Sequence, residues 1–293
     1  MTSTSGSPYA YHFDLREKAA AAGTPAAALV LVRQLTSDST QSYPVDVIQL
    51  GLGAIQLAQA DSHWLTVVSE VVAWIERTMD TRGLIACLRP MPHTFPLAVP
   101  WHSSLAQGEA ASLLVRSARV FARGDLLDLA DRAVAPLLDP ESALVAVTAQ
   151  GPVLQEYPTT PPAHVLNGWI TSLCGLYDVA QARPADASTP GSAAAGFEAG
   201  VAALAARLHL YRTPIGWSRY DLYPHPLTNV ASPFYHRLHV GHLRMLNALA
   251  PREIFDRTAD DWEQAGANPA LRSFAVARKV LFRCVRPRWK RVR

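Results

Sequence analysis

The sequence predicts an all-α fold, an α/α toroid of the incomplete (α/α)6 type with long rim loops and room for a short β-hairpin. Apolar residues recur at helical spacing in eight segments of the 293-residue chain. Those segments form pairs joined by short links, an arrangement typical of helical folds. Long segments rich in Pro, Tyr, Trp and His separate the pairs, and in a toroid such loops gather on one rim and shape a cleft.

Helix start and stop signals place the eight helices along the chain. Pro44 precedes the first helix, Asp61 caps the second, and Gly124 stops the third before the fourth begins. The predicted helices span residues 45–59, 63–79, 103–121, 125–138, 165–180, 193–210, 235–249 and 253–263. The long segments span residues 81–101, 139–163 and 211–234.

Composition suggests one large helical unit with two flanking segments. Hydrophobic residues make up 49% of the chain and charged residues 17%, so a sizeable core can be buried. We predict an N-terminal extension at residues 1–42, a toroid at 43–270 and a basic C-terminal tail at 271–293. The first eight residues are expected to be disordered, and residues 184–191 to form a solvated linker.

Positive charge is concentrated at the C-terminus, although the net charge is only +3. Eight basic residues and no acidic one lie between Arg278 and Arg293. Two interpretations remain open for this tail. It contacts an anionic membrane surface or a polyanionic glycan, or it is a solvated, poorly ordered terminus. We expect no nucleic acid partner.

The cysteines and the hydropathy pattern predict a cytoplasmic protein, with peripheral membrane contact through the tail. Cys87, Cys174 and Cys284 are odd in number, far apart and without zinc-site spacing, which argues against a disulfide framework. Such residues suit buried thiols in a reducing compartment. No stretch is long and apolar enough to span a bilayer, and the N-terminal region makes a poor signal peptide.

Polar and aromatic residues with chemical potential cluster in four segments, at residues 100–109, 155–168, 217–222 and 229–239. Glu156 and Tyr157 place two kinds of proton carrier side by side in a loop, and Pro158 stiffens it. Asn167, near a helix start, can offer an amide to a sugar hydroxyl or a carboxylate. Taken singly, a tyrosine before proline more often packs, and such an asparagine more often caps a helix.

The sequence contains no established motif for binding a metal or a common cofactor. His236 and His239 are three residues apart, but no carboxylate follows at ligand spacing and HExxH is absent. No glycine-rich phosphate loop, GxGxxG or GxSxG is present. We therefore predict no metal and no cofactor.

Five motifs in order resemble the C-terminal domain of the D-glucuronyl C5-epimerases. Each is weak alone, but their order and spacing agree with the family over about residues 43–263. They are Trp101 with the Ala-Gln-Gly that ends at Gly108, Glu-Tyr-Pro-Thr at 156–159, Val-Leu-Asn-Gly at 165–168 with Gly-Leu-Tyr-Asp at 175–178, Tyr-Asp-Leu at 220–222, and Tyr-His-x-x-His at 235–239.

The resemblance implies an α/α toroid that epimerises glucuronate to iduronate in a heparosan or heparan sulfate type of polysaccharide. It implies that Glu156 and Tyr235 flank C5, with a Tyr–Tyr pair as the second choice. Tyr157 and Tyr220 then bind and neutralise the carboxylate. A homodimer is implied as well. The predicted substrate contacts are Trp101, His102, Gln107, Asn167, Arg219, Asn229, His236, Arg237 and His239.

Two departures from the animal enzymes stand out. Those enzymes carry a basic residue after Tyr-Asp-Leu, where this chain has Tyr223, so Arg219 or Arg237 is expected to substitute. They also carry a membrane anchor and β-rich N-terminal domains. We expect this chain to have neither, and therefore a shorter cleft or a partner chain.

Three other functions remain open from the sequence. A polysaccharide lyase removes the same C5 proton but expels the C4 oxygen. A non-catalytic glycan-binding homologue retains the fold alone. A glycoside hydrolase needs two carboxylates across a glycosidic bond, for which Glu156 and Asp221 are candidates.

Overall fold

A computed structural model describes residues 7–38, 43–89, 94–95, 97–184 and 189–287. Within these ranges the chain forms eleven α-helices and one β-hairpin. The helices are α1 Arg16–Ala20, α2 Pro25–Ser37, α3 Pro44–Leu57, α4 Leu65–Thr78, α5 Ser104–Val120, α6 Asp125–Leu138, α7 Leu166–Ala182, α8 Ala193–Arg207, α9 Pro233–Leu249, α10 Glu253–Ala267 and α11 Pro269–Val285. Strands β1 Val145–Thr148 and β2 Gly151–Leu154 pair antiparallel.

This content confirms the predicted all-α class. All eight predicted helices are present as α3–α10, with ends shifted by a few residues, and the hairpin falls in the predicted long segment at 139–163. Helices that follow one another pack together, as α3 does with α4, α5 with α6, and α9 with α10. Closure of the helices into a toroid stays a prediction.

Three helices were not predicted, and two of them begin with proline. Thr24 accepts a hydrogen bond from the Ala27 amide ahead of α2, and Asn268 does the same for the Ala270 amide ahead of α11. Proline at the first helical position needs no amide partner, so it starts a helix there and does not break one. Parts of the predicted disordered terminus, linker and tail, namely residues 1–6, 185–188 and 288–293, lie outside the described residues.

Helix α5 forms the centre of the packing. It is buried along nearly its whole length and contacts α3, α6 and α7. Its approach to α7 requires glycine, because a Cβ on Gly175 would lie 2.4 Å from the Cα of Gly108. The Ala-Gln-Gly and Gly-Leu-Tyr-Asp motifs thus owe their glycines to one helix crossing.

A buried ion pair ties the N-terminal segment to this centre. Arg116 of α5 donates to Asp178 of α7 at 2.6 Å, and Nε2 of His12 lies 2.9 Å from the same carboxylate. Burial alone would raise the pKa of Asp178, but the charges of Arg116 and His12 outweigh it and hold that pKa well below its usual range. The described part of residues 1–42 is therefore packed into the fold.

Helix length and hydropathy bear on the membrane question. Among the helices of the described ranges, none is both long and apolar enough to cross a bilayer.

Candidate active site

A cavity of about 640 Å³ opens where the loops after β2 and before α9 meet helices α1, α3, α5, α7, α9 and α11. Five residues predicted from the sequence line it together, although they lie as far apart in the chain as residues 156 and 235. They are Glu156, Tyr157, Asn167, Tyr220 and Tyr235.

Glu156 is buried at this cavity and is held by two hydrogen bonds. Nδ2 of Asn167 donates to its Oε2 at 3.3 Å, and Tyr157 donates to the same carboxylate. Burial raises the pKa of Glu156 to about 7, against these two bonds, which lower it. Gly168 makes room for the carboxylate, because a Cβ there would lie 2.3 Å from Oε2. Near neutral pH Glu156 can therefore both take up and release a proton.

Two buried tyrosines beside Glu156 keep their protons at neutral pH. Burial raises the pKa of Tyr157 and of Tyr220 well above the ordinary value, and the Glu156 charge raises both further. A phenol in this state is a hydrogen-bond donor. Tyr220 thus suits the stabilisation of negative charge on a ligand, whereas the O–H of Tyr157 already donates to Glu156.

Tyr235 stands at the first turn of α9, whose N-cap is Ser232. Its ring meets that of Tyr220 edge to face, with 4.9 Å between the centroids.

Eight predicted substrate contacts do not line this cavity. They are Trp101, His102, Gln107, Arg219, Asn229, His236, Arg237 and His239. Gln107 is fully buried, accepts from the Ile85 amide at 2.9 Å and donates to the carbonyls of Gly83 and Ala133. Buried polar groups need hydrogen-bond partners, and the Gln107 side chain supplies them to buried backbone groups of neighbouring segments.

His236 and His239, both predicted substrate contacts, belong to a buried packing network. The ring of His236 stacks on Trp217 with centroids 3.8 Å apart, and its Nε2 donates to the Trp262 carbonyl. Oγ of Ser218 lies 2.8 Å from Nδ1 of His236 and 3.0 Å from Nδ1 of His239. Burial lowers the pKa of His236 to about 4. Within the described ranges no three His, Cys, Asp or Glu side chains are placed to hold a metal ion.

The other predicted contacts do not line the cavity either. Trp101 packs against the cavity residue Tyr157, with ring centroids 5.6 Å apart, and His102 is half-buried. Arg237 is exposed on α9, and Arg219 is half-buried. Neither arginine thus supplies the positive charge that Tyr223 fails to provide.

Positive charge reaches the cavity from α11, besides Lys18 and Arg89, which also line it. Lys279 and Arg283 both line it. Nζ of Lys279 donates to Oδ1 of Asn229 at 2.6 Å and lies 5.3 Å from the centroid of the Tyr220 ring. Asn229 in turn donates to the buried carboxylate of Asp221. Asn229, a predicted substrate contact, therefore positions Lys279 without lining the cavity itself.

Another carboxyl group that lines the cavity, Glu109 of α5, was not among the predicted site residues. Oε1 accepts from Nε2 of Gln49 at 2.8 Å, while Oε2 is buried with no hydrogen-bond partner in the described part of the chain. Burial raises the pKa of Glu109 to about 8, against the hydrogen bond from Gln49. Such a group is largely protonated at neutral pH and can donate to a ligand.

The raised pKa of Glu109 makes stability depend on pH. Between its ordinary pKa of 4.5 and about 8 the folded protein binds more protons than the unfolded chain, so the free energy of unfolding falls as pH rises. Glu109→Gln removes this linkage and keeps the shape of the side chain. We expect wild type to lose about 2–4 kcal/mol more than the variant between pH 5 and pH 8 in urea unfolding.

The matched control is Glu141→Gln, because Glu141 is exposed. It should retain the pH dependence of wild type. Parallel curves of stability against pH for wild type and Glu109→Gln would contradict the buried, protonated state of this carboxyl group.

The fold and site define an all-α protein that gathers tyrosines and protonatable carboxyl groups around a ligand-sized cavity. The family described as D-glucuronyl C5-epimerase C-terminus matches residues 87–264, more than half of the chain. The chain therefore belongs to that family, as its motifs predicted. The match contains Glu156, Tyr157, Tyr220 and Tyr235, and it excludes α11.

A relative with a known name agrees with this membership. The chain is 34% identical over 201 residues to a D-glucuronyl C5-epimerase of Caenorhabditis elegans. The aligned region is 64% of this chain and 30% of the relative. The chain thus spans less than a third of that relative's length.

Proposed function

We propose that the protein inverts C5 of D-glucuronate residues, yielding L-iduronate, in a polysaccharide or oligosaccharide of the heparosan type. The single observation that carries this proposal is the cavity shared by Glu156, Tyr157, Tyr220 and Tyr235. The family membership supports the same chemistry.

The reaction needs two proton carriers on opposite faces of the sugar ring. Glu156 removes the C5 proton from one face, and Tyr235 delivers a proton to the other. The C5–H bond electrons pass into the carboxylate as the proton leaves and return to C5 when the new proton arrives. No net oxidation or reduction occurs, and the cycle closes when Glu156 gives its proton to solvent and the Tyr235 phenolate takes one up.

The difficult part is the second negative charge that develops on the carboxylate. Donors aimed at that group must stabilise this charge as it forms. Tyr220 is suited to donate because burial keeps it protonated, and Tyr157 can turn its O–H from Glu156 to the substrate once Glu156 has taken up the C5 proton. Lys279 and Arg283 add positive charge at the same cavity.

Lys279 offers a test of carboxylate binding. We expect Lys279→Gln to weaken glycan binding by about 10- to 100-fold, since a hydrogen bond to a charged group contributes about 1.5–3 kcal/mol. Binding is measured by titration calorimetry with a glucuronan oligosaccharide. Arg272→Gln is the control, because Arg272 is exposed on the same helix and does not line the cavity. Equal affinity for wild type and Lys279→Gln would exclude this role.

Incubation with heparosan and related glucuronans in deuterated water tests the activity itself. We expect deuterium at C5 by mass spectrometry, iduronate by NMR and no change in chain length. Absorbance from an unsaturated uronate would instead identify a lyase. The hydrolase alternative has little support, since Asp221 is fully buried and does not line the cavity.

A further inference from the structure

Helix α11 has two faces with different environments. Ala275 and Phe282 are buried against the rest of the protein. The outward face is apolar and spans about half of the helix circumference at about 3.6 residues per turn. Its exposed large hydrophobic residues are Phe274, Val276, Val280, Leu281 and Val285.

An exposed apolar face along most of a helix is unusual in a compact protein. Half of the ten exposed large hydrophobic residues in the described ranges lie on this single helix, and Val280 is 58% exposed. Apolar residues grouped in this way mark a surface that contacts another apolar phase or partner.

The charge of this part of the sequence is uniformly positive. From Asn268 to Arg293 the chain has nine basic residues and no acidic one. Arg272 and Arg286 are exposed, and none of the ion pairs between described residues involves either. On neighbouring α10, by contrast, acidic side chains pair with Arg244.

The exposed apolar face and the positive charge of α11 together fit one kind of binding partner. An anionic bilayer surface accepts apolar side chains below its headgroups and attracts the arginines beside them. A second copy docking through the same face would bring two cationic surfaces together, and like charges oppose such a contact. We propose that the outer face of α11 binds anionic lipid surfaces peripherally.

This binding would hold the cavity near the membrane. Lys279 and Arg283 lie on the same helix and line the cavity. A helix with its side chains is only about 10–12 Å across. A lipid-anchored or membrane-proximal glycan would then enter the cavity close to the membrane surface.

Vesicle flotation of the full chain tests the proposal without any glycan. We expect wild type to float with vesicles of phosphatidylcholine and phosphatidylglycerol, and not with phosphatidylcholine alone. Val280→Gln with Leu281→Gln should reduce the bound fraction at least tenfold. Arg272→Gln with Arg286→Gln should weaken binding at low salt. Val30→Gln is the control, since Val30 is 53% exposed on α2.

Circular dichroism confirms that each variant is folded, and light scattering follows oligomeric state. Absence of flotation by wild type would overturn the proposal. So would equal flotation with neutral vesicles, or unchanged flotation of the double variants. Loss of a dimer in Val280→Gln/Leu281→Gln, without a change in lipid binding, would assign the face to a contact between copies.

Discussion

Tyr235→Phe is expected to abolish proton exchange at C5 while leaving glycan binding intact. The substitution removes only the hydroxyl, so the ring contact with Tyr220 is kept. General acid catalysis contributes about 10²–10⁴-fold, and we expect a loss in this range. Deuterium uptake at C5 measures the chemistry, and titration calorimetry with the same oligosaccharide measures binding.

Tyr223→Phe is the matched control for the lost hydroxyl. Tyr223 follows the same Tyr-Asp-Leu motif but packs on Phe95, with ring centroids 5.4 Å apart, and does not line the cavity. It should exchange C5 deuterium at the wild-type rate. Unchanged exchange in Tyr235→Phe would remove Tyr235 from the mechanism.

Glu156→Gln is expected to lower kcat/KM by a similar factor and to change its pH dependence. A base must be ionised before it accepts a proton, and the pKa of Glu156 is about 7. Wild-type activity should therefore rise about tenfold per pH unit below pH 7 and level off above it. The residual activity of the variant should lack this rise.

The conservative partner for this test is Asn167→Asp, which replaces the donor to Oε2 with a second carboxyl group. Its charge should raise the pKa of Glu156 and shift the activity profile to higher pH. An alkaline shift would support Glu156 as the titrating base. A wild-type profile that is flat from pH 5 to pH 8 would contradict the assignment.

Local sequence signals predicted the helices because caps and apolar spacing act over a few residues. Helix α6 matches its predicted span, and α5 and α7 differ by one or two residues at their ends. The same signals were present for α11, where Asn268 and Pro269 form a cap and a first turn. Its high arginine content suggested a tail, although arginine is a good helix former.

The sequence predicted some of the residues that line the candidate site and missed others, and the difference has a physical cause. The order of the family motifs led to Glu156 and Tyr235. Lys279 and Glu109 were missed because only tertiary packing brings α11 and α5 to one cavity. Gln107, taken for a substrate contact, instead serves the hydrogen-bonding needs of buried backbone.

Under the proposed function, the cavity offers a substitute for the basic residue that this chain lacks at Tyr223. Positive charge comes from α11, beyond the residues that match the family, and Asn229 links it to the Tyr-Asp-Leu motif through Asp221. In that case, binding of the substrate carboxylate depends partly on a segment that the family match does not cover.

The most direct test of the account is solvent deuterium exchange at C5 of heparosan, read by mass spectrometry and NMR on the same sample. The account predicts deuterium on C5 of both glucuronate and iduronate units in chains of unchanged length. A product with no C5 deuterium and no iduronate, formed while the glycan is demonstrably bound, would contradict it.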